Sequence, residues 1–142
     1  AKKKNEKFLN NFQALKKLKT AIDNAVKTKG YLKGLDGRKL RVRSSHSALN
    51  TLLQSAGALI MKQALVVLDD ALQDKGFVPG RDYEFVGNVH DEWQIEVIDQ
   101  DGKPELVGQT AAWAIEQAGK DFNFRCPLAG DFDIGNSWAE TH

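Results

Sequence analysis

One cysteine, Cys126, is all the disulfide chemistry that this chain of 142 residues could draw on. A bridge within the chain is therefore impossible, and cysteine-based zinc clusters are excluded. A reducing cytoplasm fits such a chain. Cys126, inside Phe124-Arg-Cys-Pro-Leu128, is expected to be a small buried residue and not a nucleophile. No apolar run approaches the roughly 20 residues of a membrane span, and no signal peptide opens the sequence. No membrane partner is expected. No internal repeat or low-complexity stretch is present, which excludes repeat architectures. Net charge is nearly absent too, at +1, and alone it says nothing about partners.

That small net charge conceals a split. Residues 1–45 carry fourteen Lys or Arg and three acids, whereas residues 46–142 carry six Lys or Arg and sixteen acids. A basic half joined to an acidic half points to a polyanion contact in the first, and to solvation or metal chemistry in the second. A solvated basic helix beside a solvated acidic surface fits the charges equally well. Hydrophobic residues make up 42% of the chain, enough for one core and one domain spanning 1–142. The opening "AKKKNEKFLNNF" is mid-helix in character and has no initiator Met. It reads as the tail of something longer.

Periodicity sets the elements. Phe8, Leu9, Phe12, Leu15, Leu18, Ile22 and Val26 recur at helical steps, predicting a helix over 5–29 that Gly30 stops. This is the helical lead-in, 1–30. A basic hairpin follows over 31–43, with Asp36-Gly37 as a two-residue turn and Lys33, Arg38, Lys39, Arg41 and Arg43 along it. Ser44 or Ser45 can cap a long helix from His46 to about Lys75, ended by Gly76. Its apolar stripe is Leu49, Leu52, Leu53, Ala56, Ile60, Ala64, Val67, Leu68 and Leu72. Strands are predicted at 83–89 and 93–98, a third helix from Pro104 to about Phe122, and a short last strand in "LAGDFDIG". The class is α+β: a small antiparallel sheet with long helices packed on one face.

Between the two strands stands Val89-His90-Asp91-Glu92. A two-residue turn normally takes Gly or Asn, which reach positive φ cheaply. His-Asp costs conformational energy there, and it mounts a carboxylate at a rigid strand end. Such a mount suits a hard cation such as Mg²⁺, which takes few protein carboxylates and keeps water and phosphate positions. Successive strand residues point opposite ways, so Asp91 is the expected ligand and Glu92 a nearby acid. An exposed acidic turn is the plain alternative.

On the long helix, His46, Asn50 and Gln54 stand four apart and form one polar strip. Amide donors at fixed height match minor-groove acceptors, which every base pair presents. A solvated helix face is the plain alternative. Ser55, Ala56, Gly57 and Ala58 follow, small enough to let another backbone or the acidic hairpin pack close.

Taken together, these segments resemble the family A (polymerase I type) DNA polymerases, most closely their phage replicative branch. Gly34–Ala58, "GLDGRKLRVRSSHSALNTLLQSAGA", resembles that branch's hairpin and long palm helix. "NVHDE" (88–92) resembles motif C, while "FNFRCPL" (122–128) and "GNSWAETH" (135–142) resemble the closing strand and C-terminus. The resemblance implies that 44–142 is palm. It implies that Asp91 binds metal, one of two palm carboxylates serving both catalytic Mg²⁺ ions, with Glu92 as a helper. His90 would lie near the primer end. Asn50 and Gln54, with His46 where cellular relatives carry Arg, would contact primer–template DNA, and Arg38 and Arg41 would meet phosphates. His142 also matches, with no role attached. Deoxynucleoside triphosphates are the implied substrates, and a phage-encoded chain would work in host cytoplasm. The family's motif A aspartate and fingers helix are absent from these residues. The expected function is thus a polymerase fragment that needs an upstream segment and is inactive alone. The alternative is a non-catalytic DNA- or partner-binding fragment. An isolated palm piece is expected to expose apolar surface beside the acidic hairpin.

Overall fold

The computed structural model describes Phe8 and residues 10–141. The predicted helix over 5–29 therefore begins partly outside the described residues, as does its Leu9. Phe8, Asn10 and Asn11 are helical, Phe12 interrupts, and helix α1 runs Gln13–Lys29. Gly30, at φ +72°, closes α1 by donating its N–H to the Val26 carbonyl at 3.0 Å, a left-handed stop that glycine makes without strain. Strands β1 (Tyr31–Lys33) and β2 (Lys39–Arg41) pair antiparallel. Helix α2 (Ser45–Asp74) follows, then β3 (Tyr83–Val89) and β4 (Glu92–Val97), also antiparallel. Helix α3 (Lys103–Asp121) and the one-turn α4 (Trp138–Thr141) complete the order. The class is α+β, with the antiparallel pairing divided between two two-stranded sheets.

Two compact units emerge, Ala1–Ala56 and Gly57–His142. In the first, Ile22, Leu32 and Ala48 are buried, with Ala25, Val26, Leu40, Val42, Leu49 and Leu52 packed around them. Only the C-terminal part of the α1 stripe reaches this core. Phe8, Phe12 and Leu18 stay 42–52% exposed, and the two phenylalanine rings pack on each other at 4.9 Å.

In the second unit Leu68, Leu72, Phe77, Tyr83, Val107 and Ala114 form the core. Gly76 (φ +86°) ends α2, and Phe77 donates back to the Leu72 carbonyl at 3.0 Å, so the turn that stops the helix also sends an aromatic ring inward. The Asp82 carboxylate is buried but well served. It accepts from the Val78 N–H (2.8 Å), Arg81 Nη2 (2.7 Å) and Lys103 Nζ (2.8 Å). Those bonds, led by the Arg81 guanidinium, hold it far below the usual carboxylate range. Burial, then the hydrogen bond donated to Asp69 at 2.5 Å, pushes the Tyr83 hydroxyl up to about 12.

Four expectations need correction. Cys126 is exposed, not buried. Leu53 is 58% exposed, so the α2 stripe turns away there. Residues 128–135 form no strand. Their alternation is real, but it docks on a helix. A Cβ on Gly119 would come within 3.0 Å of Leu128, one on Gly130 within 2.9 Å of the Ala112 backbone, and one on Gly108 within 2.2 Å of the Phe132 ring. Leu128, Gly130 and Phe132 thus descend α3 in extended form, and the ladder a strand would need is replaced by side-chain seating. Finally, α2 has 30 residues and a mean hydropathy of 1.5 in its most apolar stretch, long and apolar enough to cross a membrane. Counting consecutive apolar residues misses it, because Gln54, Lys62 and Gln63 interrupt the run while the average over the stretch stays apolar. Its Ile60, Ala64, Leu68 and Leu72 are instead buried in protein.

Candidate functional site

The acidic hairpin is a two-residue turn. Val89 and Glu92 are paired, leaving His90 and Asp91 as the two residues between them. His90 takes φ +56° and carries the strain alone, a conformation that costs an L-residue about 1–2 kcal/mol. Both His90 and Asp91 are exposed, and Glu92 is half-buried.

A bulge sets which side chains share a face. Phe85 pairs with Ile95 but Gly87 with Gln94, so Val86 has no partner and the alternation along β3 reverses. Beyond it Asn88 lies opposite Trp93, on the side of Ile95 and the core, while Val89 lies opposite Glu92. Strand alternation alone would have put Val89 beside Phe85. Val86 and Val89 are accordingly 60% and 38% exposed.

On the outer face, Gln94 Nε2 donates to Glu92 Oε1. Thr141 Oγ1 of α4 donates to Gln94 Oε1 at 3.3 Å. Neither Gln94 nor Thr141 stood out in the sequence. The available signal was spacing, since residues two apart on a strand share a face. His142 lies outside the described residues.

The other predicted residues belong to the first unit. Lys33, Lys39 and Arg41 are exposed on one face of the basic hairpin, opposite Leu32 and Leu40, which turn to the core. Lys39 Nζ sits 5.0 Å from the Tyr31 ring centroid. The loop is longer than the predicted two residues. Gly34 donates to the Arg38 carbonyl (2.8 Å), Gly37 to the Gly34 carbonyl (3.0 Å), and only Gly37 takes positive φ. Arg38 is exposed and paired with Asp36. Burial raises the Asp36 carboxyl, but the Arg38 amide and guanidinium outweigh it and leave it lowered. Ser44 Oγ accepts the Ser47 N–H at 3.3 Å and starts α2. His46, Asn50 and Gln54 are all exposed, as a polar strip requires. A Cβ on Gly57 would meet nothing within 4 Å, so the expected close packing there is not made.

The chain thus joins an α+β fold to an acidic two-residue turn at one strand end and to a basic hairpin followed by a long helix. The model of DNA polymerase family A matches residues 1–140, and the chain belongs to that family. The DNA-directed DNA polymerase of Escherichia phage T7 is 39% identical across 96% of this chain. DNA polymerase I of Aquifex aeolicus is 31% identical across 95%. The solved polymerase domain of Pol1 from M. smegmatis, in complex with DNA primer-template and dNTP, shares the fold at a TM-score of 0.70 over 82% of this chain, with 22% identity. The chain spans 22% of the phage T7 relative's length and 23% of the Aquifex one.

Proposed function

We propose that this chain is the C-terminal palm part of a family A DNA polymerase and supplies one metal-binding carboxylate to template-directed nucleotidyl transfer. The observation that carries the reading is Asp91, exposed on a strained two-residue turn at the end of an ordered hairpin. The donor fits Mg²⁺, a hard cation that takes one or two carboxylates and fills its remaining positions with water and phosphate. Among the described residues no three His, Cys, Asp or Glu gather into a metal site. In this reading the second carboxylate comes from another segment, the one carrying motif A and the fingers. Two Mg²⁺ ions, when bound, supply activation of the primer 3′-hydroxyl and charge relief at the leaving pyrophosphate.

The remaining residues bind and orient. Asn50 and Gln54 offer amide donors to the minor groove of primer–template DNA, and His46 extends the strip. Arg41, with Arg38 beside its Asp36 partner, meets phosphates. His90 lies where the primer end arrives, and Glu92 supports Asp91. Deoxynucleoside triphosphates are the substrates, and the setting is cytoplasmic.

Primer extension with Mg²⁺ and four nucleotides tests this. The chain alone is expected to extend nothing. Mixed with a separately made segment carrying motif A and the fingers, it is expected to extend, and Asp91→Ala to lower the extension rate on the order of 10³-fold. Extension by the unmixed chain would refute the account of missing ligands. A mixture that binds DNA without extending it would favour a non-catalytic binding fragment.

A further inference from the structure

The acidic turn is not fixed by its own strands alone. Glu92 and Gln94 lie on one face of β4, and the Gln94 amide donates to the Glu92 carboxylate. The other end of that amide accepts the Thr141 hydroxyl at 3.3 Å, from a segment 47 residues further on. The lane in which Gln94 lies is cleared across the ladder. Gly87 is its partner, and a Cβ there would stand 3.3 Å from the Gln94 Cβ. The bulge at Val86 is what brings Gly87 opposite Gln94.

The C-terminal turn that presents Thr141 is itself tied down. The Asn136 N–H donates to Glu140 Oε2 at 2.7 Å. Gly135 is pressed against the same turn, and a Cβ on it would fall 2.7 Å from the Glu140 Cβ and 3.1 Å from Thr141 Cγ2. The Thr141 hydroxyl has one proton and two acceptors at 3.3 Å, Gln94 Oε1 and the Trp138 carbonyl. The helical turn thus aims the hydroxyl without holding it for itself alone.

We infer that Gln94 is a positioning residue: held from behind by Thr141, its amide fixes the Glu92 carboxylate next to the Asp91 turn. This deepens the polymerase reading and rests on it for its meaning in catalysis. An amide has a fixed polarity. With its oxygen occupied by a hydroxyl donor, its N–H₂ must face Glu92, and a carboxylate is the acceptor it suits best. The tether draws Glu92 along the strand toward Gln94. Glu92 then serves the site as a hydrogen-bonded neighbour of Asp91, and Asp91 is left as the carboxylate that reaches metal.

Two measurements on the 142-residue chain test this, using Gln94→Leu, Thr141→Val and Thr141→Ser. The first needs no synthesis. The side-chain amide protons of Gln94, read by ¹H–¹⁵N NMR, are expected to be shifted and slow to exchange in the parent and in Thr141→Ser. In Thr141→Val and in Glu92→Ala they are expected to move toward free glutamine. Free-glutamine shifts in the parent would overturn the tether, whatever the chain does with DNA. The second measures primer extension by the chain with its upstream segment. Gln94→Leu and Thr141→Val are expected to lower kcat about tenfold, which is about 1.4 kcal/mol, with the KM for nucleotide within about twofold. Thr141→Ser is expected to restore kcat. Equal losses in Thr141→Val and Thr141→Ser, or full kcat in Gln94→Leu, would overturn the positioning role. An unsubstituted mixture that extends nothing would defeat the polymerase reading alone, and the NMR result would still decide whether Glu92 is held.

Discussion

The two hairpins solve the same problem in opposite ways. The basic one turns through Gly34–Gly37, with its positive φ on a glycine. The acidic one turns in two residues, with its positive φ on His90. Under the proposed function, a relaxed turn suits a strand pair whose side chains bind along its length. A strained turn, under the same proposed function, suits a pair whose tip holds a single carboxylate at a fixed place, because strain persists only where the surroundings over-determine it. The cores differ too. The acidic hairpin packs into a cluster of six buried residues, its own Tyr83 among them, and the basic one into a cluster of three that includes Leu32.

The sharpest way to break this comparison is to swap the burden of catalysis. In the reconstituted mixture, Asp91→Ala is expected to cost on the order of 10³-fold in extension rate, whereas Arg41→Ala should leave turnover within a few-fold. Equal losses in the two variants would end the division of labour. Next comes the core. Leu68→Ala removes a side chain that is fully buried and should destabilise by about 2–5 kcal/mol. Hydrogen exchange should quicken in β3 and β4 before β1 and β2. Uniform quickening would make the two cores one.

Acid tests the buried Asp82. Its folded-state value is depressed, so its stabilising effect is full above the ordinary value of 3.8 and is lost as pH falls below it. The thermal midpoint should drop on acidification below about pH 4, and Asp82→Asn should flatten that drop while lowering the midpoint at pH 7. A parent midpoint insensitive to acid would remove Asp82 from the account. A smaller effect of opposite sign is expected at the turn. His90→Gly relieves the positive φ and should stabilise the chain by about 1 kcal/mol, while extension by the mixture falls. A variant no more stable than the parent would mean that the turn is not strained. Smallest is the phosphate contact. Arg41→Ala should reduce the slope of log binding constant against log salt for duplex DNA by about 1. An unchanged slope would move the phosphate contact elsewhere on the basic face.

Local rules carried most of the fold. The stops at Gly30 and Gly76, the Ser44 cap and the α3 boundaries follow from residues that contact their own neighbours in sequence. The acidic turn was legible for the same reason, since His90 and Asp91 are the two residues between paired strands. Leu128, Gly130 and Phe132 show where this stops. Period two correctly signals extended chain, but it cannot say whether the partner is a strand or the small-residue lane of a helix. The bulge at Val86 was hidden because an unpaired residue exists only relative to a partner strand.

The sequence by itself determined the helix stops and caps and the identity of the carboxylate at the turn, because each depends on residues within a few positions of one another; the charge division is a sum over sequence and needs no fold at all. Tertiary structure alone decided that Val89 shares a face with Glu92, that 128–132 seats on α3, and that Thr141 reaches Gln94 across 47 positions. Those facts depend on which surfaces meet. A side chain's hydrogen-bond partner is chosen by distance in space, and local periodicity has no measure of that.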